Sequence, residues 1–287
     1  MPIFGIEHVS PSSLSTLAGC PRRWKKRYVD KLPDVSGFDA AVGSFIHEVL
    51  EDLLALDSNE RTMDTALELC SALWVKDLVQ DEDERKSLPN VLKELDAYTP
   101  KTKQRVAKLL ENYFKVEDPR NVEFVSLEED YLIPLWDDIS LKMIIDRKEA
   151  TRISDYKSGK RPNGQYVPKS LIQLFIYCYG LSEIGEDYKE ANLIYFGDNP
   201  GIITATNVDA HFVEIRKYLD RGVNMMRKKL EEDLEFKPKV GPLCAYCPYV
   251  ADCPKGMSEV NRMISFGRVK PSAPVWKIIH EQQLNMS

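Results

Sequence analysis

The chain has 287 residues, enough for one large domain or two ordinary ones, with 43% hydrophobic and 29% charged residues, the balance of a globular protein in water. Its longest apolar runs, "LIPLW" and "LIQLFIYCYG", fall far short of the roughly 20 residues that a membrane span needs. The start "MPIFGIEHVSPSS" lacks the basic and apolar regions of a secretory signal, so an intracellular, cytoplasmic protein with no membrane association is expected. The net charge of −6 sets up no bulk field that attracts nucleic acid, yet basic residues gather in "RRWKKR" (22–27) and "KSGKR" (157–161), and acidic ones in "QDEDE" (80–84).

Ser10 followed by Pro11 makes an N-cap and first-turn pair, which predicts a short helix ahead of Cys20-Pro21 and the basic cluster. Residues 40–56, "AAVGSFIHEVLEDLLAL", carry apolar residues at helical spacing. The stretch from about 57 to 118 reads as a helical insertion, broken near "SLPN" and "YTP". The texture then changes. "NVEFVSLEEDYLIPL" (121–135), "ISLKMIIDRKEA" (139–150) and "TRISDYKSG" (151–159) are rich in β-formers and predict a meander of three strands. A buried helix over 169–184 follows, then a hairpin around "DNPG" and a long amphipathic helix. The tail carries "CAYCPYVADCP" and then loses clear pattern. This order predicts one α/β domain in which helices pack a mixed β-sheet.

Asp155 and Lys157 stand two apart on a predicted strand, so they share a face. Asp146 ends the preceding strand, and in a hairpin both carboxylates meet at one end of the sheet. Two adjacent acids repel unless a cation lies between them, and oxygen ligands suit Mg²⁺ or Mn²⁺. Beside such a metal, Lys157 orients water or stabilises charge on a phosphate, a workable arrangement for phosphodiester hydrolysis. Upstream, Gly43, His47 and Glu51 are spaced by four on one helical face, and His47 is a candidate third ligand. "HEVLE" also touches the zinc-protease pattern, but its second histidine is missing. Downstream, Gln173 and Tyr177 lie four apart on the helix after the lysine strand, and a buried Gln there needs a partner, either Lys157 or substrate backbone.

The ordered set Gly43-x3-His47-x3-Glu51, Asp146-Arg147, Asp155-Tyr156-Lys157 and Gln173-x3-Tyr177 resembles the PD-(D/E)XK nuclease superfamily, and within it the RecB-like branch, over residues 10 to 255 or so. The resemblance implies a restriction-endonuclease-like core, with His47, Asp146, Asp155 and the main-chain carbonyl of Tyr156 as ligands of Mg²⁺ or Mn²⁺. It implies Lys157, Asp155, Asp146 and Glu51 as catalytic residues, with Gln173 and Tyr177 contacting DNA and supporting the site. Ile145 stands where the family pattern has proline.

Six cysteines remain to be assigned. Cys70 and Cys178 lie in apolar contexts and read as buried thiols. Cys244, Cys247 and Cys253 form a close triplet, and Cys20 stands far upstream; four thiolates suit zinc or an iron–sulfur cluster. The same one-plus-three arrangement occurs in iron–sulfur RecB-like exonucleases, including the CRISPR-associated type. That resemblance implies a 4Fe–4S cluster that staples an N-terminal segment (1–30) to a C-terminal one (238–260) within a single nuclease domain spanning 1–287. Arg22, Arg23, Lys25 and Lys26 are then candidates for phosphate contact or a solvated helix face, Tyr246 for stacking on unpaired bases, and Trp24 for such stacking or for core packing.

The expected function is that of a metal-dependent DNA exonuclease acting on single-stranded ends, in recombination, repair, replication or CRISPR adaptation. Two rivals stand beside it. One is a DNA-end-binding adaptor for a separate helicase, recombinase or CRISPR-adaptation partner, with incidental nuclease activity. The other is a zinc-stapled interaction domain without catalysis.

Overall fold

The computed structural model describes residues 5–33, 38–79, 99–164, 167–232, 235–271 and 273–284. The "QDEDE" and "SLPN" stretches lie outside them. The fold is mixed α/β, with a six-stranded mixed sheet flanked by helices. The chain divides into two compact units, one of residues 1–37, 134–141 and 218–287, the other of residues 38–133 and 142–217. Among the described residues no helix is long and apolar enough to cross a membrane.

In the first unit, β1 (His8–Val9) pairs in parallel with the opening residues of β3 (Ser140–Lys148), His8 with Ser140 and Val9 with Leu141. Helix α1 (Pro11–Gly19) starts where Ser10 and Pro11 predict. The Ser10 hydroxyl accepts the Ser13 amide at 3.2 Å, and the Ser13 hydroxyl accepts the Ser10 amide at 2.8 Å, a reciprocal cap that satisfies two otherwise orphaned donors. The short α2 (Pro21–Trp24) runs on into a π-helical turn, Lys25–Val29. The C-terminal tail, for which the sequence shows no pattern, forms α8 (Pro254–Ser265) and α9 (Val275–Leu284). Val260, Met263, Ala273 and Val275 from these helices and their connection enclose Ala245 and Val250 in a small apolar cluster, against which Cys244 and Cys247 pack.

The second unit holds α3 (Phe38–Ala55), α4 (Met63–Val79), α5 (Thr99–Val116) and α6 (Val167–Ser182). Its strands are β2 (Ser126–Pro134), most of β3, β4 (Arg152–Lys157), β5 (Glu190–Tyr195) and β6 (Gly201–Thr206). Strand β3 pairs with β2 and, antiparallel, with β4; β4 pairs in parallel with β5, and β5 antiparallel with β6. The parallel β4–β5 step requires a crossover, and α6 supplies it, packing on both strands. The hairpin turn has Asn199 at φ +58° and Gly201 at φ +152°, left-handed geometry that Asn and Gly adopt at least cost. Helix α7 (Phe212–Glu231) follows.

The main core is built from the apolar stripe of α3 (Val42, Phe45, Ile46, Val49, Leu50, Leu53) with Val106, Leu109, Leu110 and Tyr113 of α5 and with Tyr156, Ile194 and Phe196. Residues 106–113 of the 57–118 stretch therefore pack in the same core as Tyr156, Ile194 and Phe196. Tyr156 and Ile194 are register partners across β4 and β5, so they present one face of the sheet to these helices. Asp155 and Lys157 face the other way.

Candidate active site

The β3–β4 ladder pairs Lys148 with Ile153 and Arg147 with Ser154 and ends there. The next two positions would be Asp146 and Asp155, the two acids. Instead of a ladder bond, the Tyr156 amide donates to Asp146 Oδ2 at 2.7 Å. The strands are joined at their acidic end through a carboxylate, and both acids are buried, 8% and 2% exposed. The hairpin expected from the sequence does bring Asp146, Asp155 and Lys157 to one end of the sheet.

His47 enters from α3. Its Nε2 lies 3.0 Å from the Tyr156 carbonyl oxygen, and its Nδ1 lies 3.5 Å from Asp146 Oδ2 and 3.7 Å from Glu128 Oε1. His47, Glu128 and Asp146 are the one group of three or more potential donors within 4.8 Å of one another among the described residues. Burial pulls the His47 imidazole down, but the Glu128 hydrogen bond and the charges of Asp146, Asp155 and Glu128 outweigh it and lift the pKa to about 9. Asp146 is pushed up to about 7 by burial first and then by the Asp155 charge, with His47 and the Tyr156 amide opposing.

Glu128 is the site residue that sequence reasoning misses. It has φ +44° inside β2, left-handed backbone that a non-glycine residue rarely adopts in a strand. Its neighbour Glu129 points elsewhere, 3.1 Å from Lys148 Nζ. The doublet "EE" is visible in the sequence, but strand alternation alone does not say which glutamate faces the histidine.

Lys157 Nζ stands 2.6 Å from Asp155 Oδ2 and donates to Gln173 Oε1 at 3.2 Å. Burial alone would lower the lysine pKa, but the Asp155 charge overrides it and holds the ammonium above its ordinary value. Gln173 Nε2 donates to Asp155 Oδ1 at 3.0 Å and to the Tyr177 hydroxyl at 2.7 Å. A lysine only donates and a carboxylate only accepts, so this pair of neighbours fixes the amide's orientation. The partner that the sequence demands for Gln173 is the acid–lysine pair itself. Glu51 lies one turn beyond His47 on α3, half-buried and outside the three-donor group.

The donor set fits a divalent cation. Asp155 is buried, and its Oδ2 is ion-paired with the Lys157 ammonium at 2.6 Å. His47 Nε2 and the Tyr156 oxygen are as far apart as neighbouring ligands of an octahedral ion with bonds of about 2.1 Å.

In the first unit, Cys20, Cys244, Cys247 and Cys253 all line one cavity of about 470 Å³, together with Arg22, Arg23 and Lys26. Burial raises the Cys244 and Cys247 thiols. Arg22 Nε is buried and makes no hydrogen bond, while Arg22 Nη2 donates to the Asp252 carbonyl at 2.9 Å. Lys26 pairs with Asp252 at 3.1 Å and Lys25 with Asp30 at 2.6 Å. Trp24 corrects an expectation. It is 1% exposed and stacks on Phe236 with the rings 5.9 Å apart and 10° from parallel, so it is a core residue with no face left for a base. Tyr246 is exposed.

The sequence model of the PD-(D/E)XK nuclease superfamily matches residues 8–254. No curated protein matches the sequence. Among solved structures, the "Putative exonuclease" of Eubacterium rectale is similar in fold, with a TM-score of 0.53 and 13% sequence identity, over 87% of this chain and 87% of that one. The family match covers most of the chain and includes every residue at the sheet's acidic end, and the chain belongs to the PD-(D/E)XK nuclease superfamily.

Proposed function

We propose that this protein is a divalent-metal-dependent DNA exonuclease, with Mg²⁺ or Mn²⁺ held by His47, Asp146, Asp155 and the Tyr156 carbonyl, and with Glu128 as a further ligand. The carrying observation is the acidic end of β3 and β4, where two buried acids, a histidine and a lysine converge. A bound cation would supply Lewis-acid chemistry at the scissile phosphate. The chain's own residues supply the rest. Asp155 and Gln173 hold the Lys157 ammonium at the open end of the strand, charged and half-exposed, where it orients the attacking water and offsets charge building on the phosphate. Water adds to phosphorus in line as the bond to the leaving oxygen breaks, and that oxygen departs with a proton. An exonuclease that works on single-stranded ends is supported by the exposed Tyr246, a ring available for stacking on unpaired bases, and by the basic residues of 22–27.

We propose that the cavity lined by Cys20, Cys244, Cys247 and Cys253 holds a 4Fe–4S cluster. The orphaned Arg22 Nε–H is the kind of donor that a cluster's sulfurs accept from. This assignment makes the cluster structural.

End-labelled single-stranded DNA, with Mn²⁺, Mg²⁺ or EDTA, tests the enzyme against Lys157→Ala. Shortening that needs the metal and drops about 10²–10³-fold in the variant is expected. Undiminished activity in the variant would remove Lys157 from the mechanism.

A further inference from the structure

The strands that carry the acids have a second face, and it is as tightly built as the first. Arg147 follows Asp146, so its side chain leaves the sheet on the opposite side. It is 2% exposed. A guanidinium that deep is costly unless its N–H groups are paired with acceptors. Glu117 takes it bidentately, at 2.7 and 2.8 Å, and Glu149 accepts from Nε and Nη2 at 3.1 and 2.9 Å. Nη1 also donates to the Tyr156 hydroxyl at 2.7 Å.

Tyr156 is thereby gripped at the tip of its ring. The ring itself is enclosed by edge contacts with His47 and Tyr113, with centroids 6.0 and 5.8 Å away, and by Phe196 at 6.3 Å. Its backbone does the site's work. The amide holds Asp146 and the carbonyl holds His47. Any rotation of this residue would move two candidate ligands and a third donor atom together.

We propose that Arg147, clamped by Glu117 and Glu149, is a positioning residue that sets the metal affinity of the site by fixing Tyr156 through its hydroxyl. This rests on the metal-dependent reading above. An arginine that merely neutralises Glu117 and Glu149 has no need of the phenol; one that positions the site depends on it.

The deciding variant is Tyr156→Phe, which keeps the ring and its packing and removes the one atom Arg147 grips. Mn²⁺ is titrated into the DNA-free protein, and free Mn²⁺ is followed by electron paramagnetic resonance. Affinity is expected to fall about 10-fold, as when groups supporting a metal ligand are removed. Arg147→Lys, which lacks the planar fork, is expected to act in the same direction; should it fail to fold, Tyr156→Phe still decides. Phe196→Leu is the control, since it loosens the same aromatic cluster without touching the hydroxyl; it should lower the melting temperature and leave Mn²⁺ affinity unchanged. Wild-type affinity in Tyr156→Phe overturns the proposal, as does an equal loss in Phe196→Leu. A wild-type protein that binds no Mn²⁺ overturns the metal reading and this proposal with it.

Discussion

Gln173 is the small hinge of the site's chemistry. One amide accepts from Lys157 and donates to Asp155 and Tyr177, so it holds the candidate catalytic lysine and a candidate ligand in one geometry. Gln173→Leu keeps the volume and removes all three bonds. Turnover should fall about 10-fold or more with the affinity for Mn²⁺ less affected, measured as kcat against Mn²⁺ half-saturation. Glu128→Gln should do the reverse, weakening Mn²⁺ about 10-fold, since it removes a charge beside the cation and retains the shape. The pH dependence follows from His47 and Asp146, whose pKa values of about 9 and 7 in the cation-free protein leave the histidine protonated at neutral pH and the acid partly so. A cation takes both in their deprotonated forms, so proton and metal compete. Mn²⁺ affinity should therefore rise with pH through both values and level off above about 9; a titration showing no change over that range would place the ligands elsewhere.

The lysine strand is held in place by close backbone approaches. A Cβ at Gly197 would lie 2.2 Å from the Gly159 carbonyl oxygen and 2.4 Å from that of Ser158, backbone atoms just past Lys157. A Cβ at Gly43, on the histidine helix, would meet only the Ser158 hydroxyl, at 3.2 Å. Gly197→Ala should cost at least about 3 kcal/mol and Gly43→Ala about 1 kcal/mol or less. Melting temperature would separate them by several degrees, at about 2–4 °C per kcal/mol for a unit of this size. Equal melting points would mean that the 158–159 turn yields freely. The glycine that opens the sequence motif is thus a tight but tolerant contact, and the demanding glycine lies outside the motif.

The first unit is assembled from chain segments far apart in sequence. Arg22 reaches the Asp252 carbonyl, Lys239 the Ala18 carbonyl and Tyr249 the Leu32 carbonyl, at 2.9, 3.3 and 3.0 Å. Those few polar ties surround the cysteine cavity, and a cluster bound there would add its binding free energy to folding. Protein purified without oxygen should be brown and carry about four irons per chain. Cys20→Ser should lose the colour and lower the melting temperature of the first unit. Colourless protein with about one zinc per chain would overturn the cluster assignment.

Beyond β1 and the C-terminal helices α8 and α9, which it does not show, the sequence carries the order of elements from α3 to α7, the apolar stripe of α3, the cap at Ser10 and the spacing that puts Asp155 and Lys157 on one face. All of these follow from local periodicity and turn chemistry, which a linear chain carries openly. That Glu128 rather than Glu129 faces His47 emerges in the folded chain alone, where a single left-handed residue interrupts the alternation of β2. The tertiary structure alone placed Trp24 in the core, since a tryptophan beside a basic run reads the same whether it is packed or exposed. It alone joined Arg147, Glu117 and Tyr156, three residues whose partnership depends on which helix covers which face of the sheet.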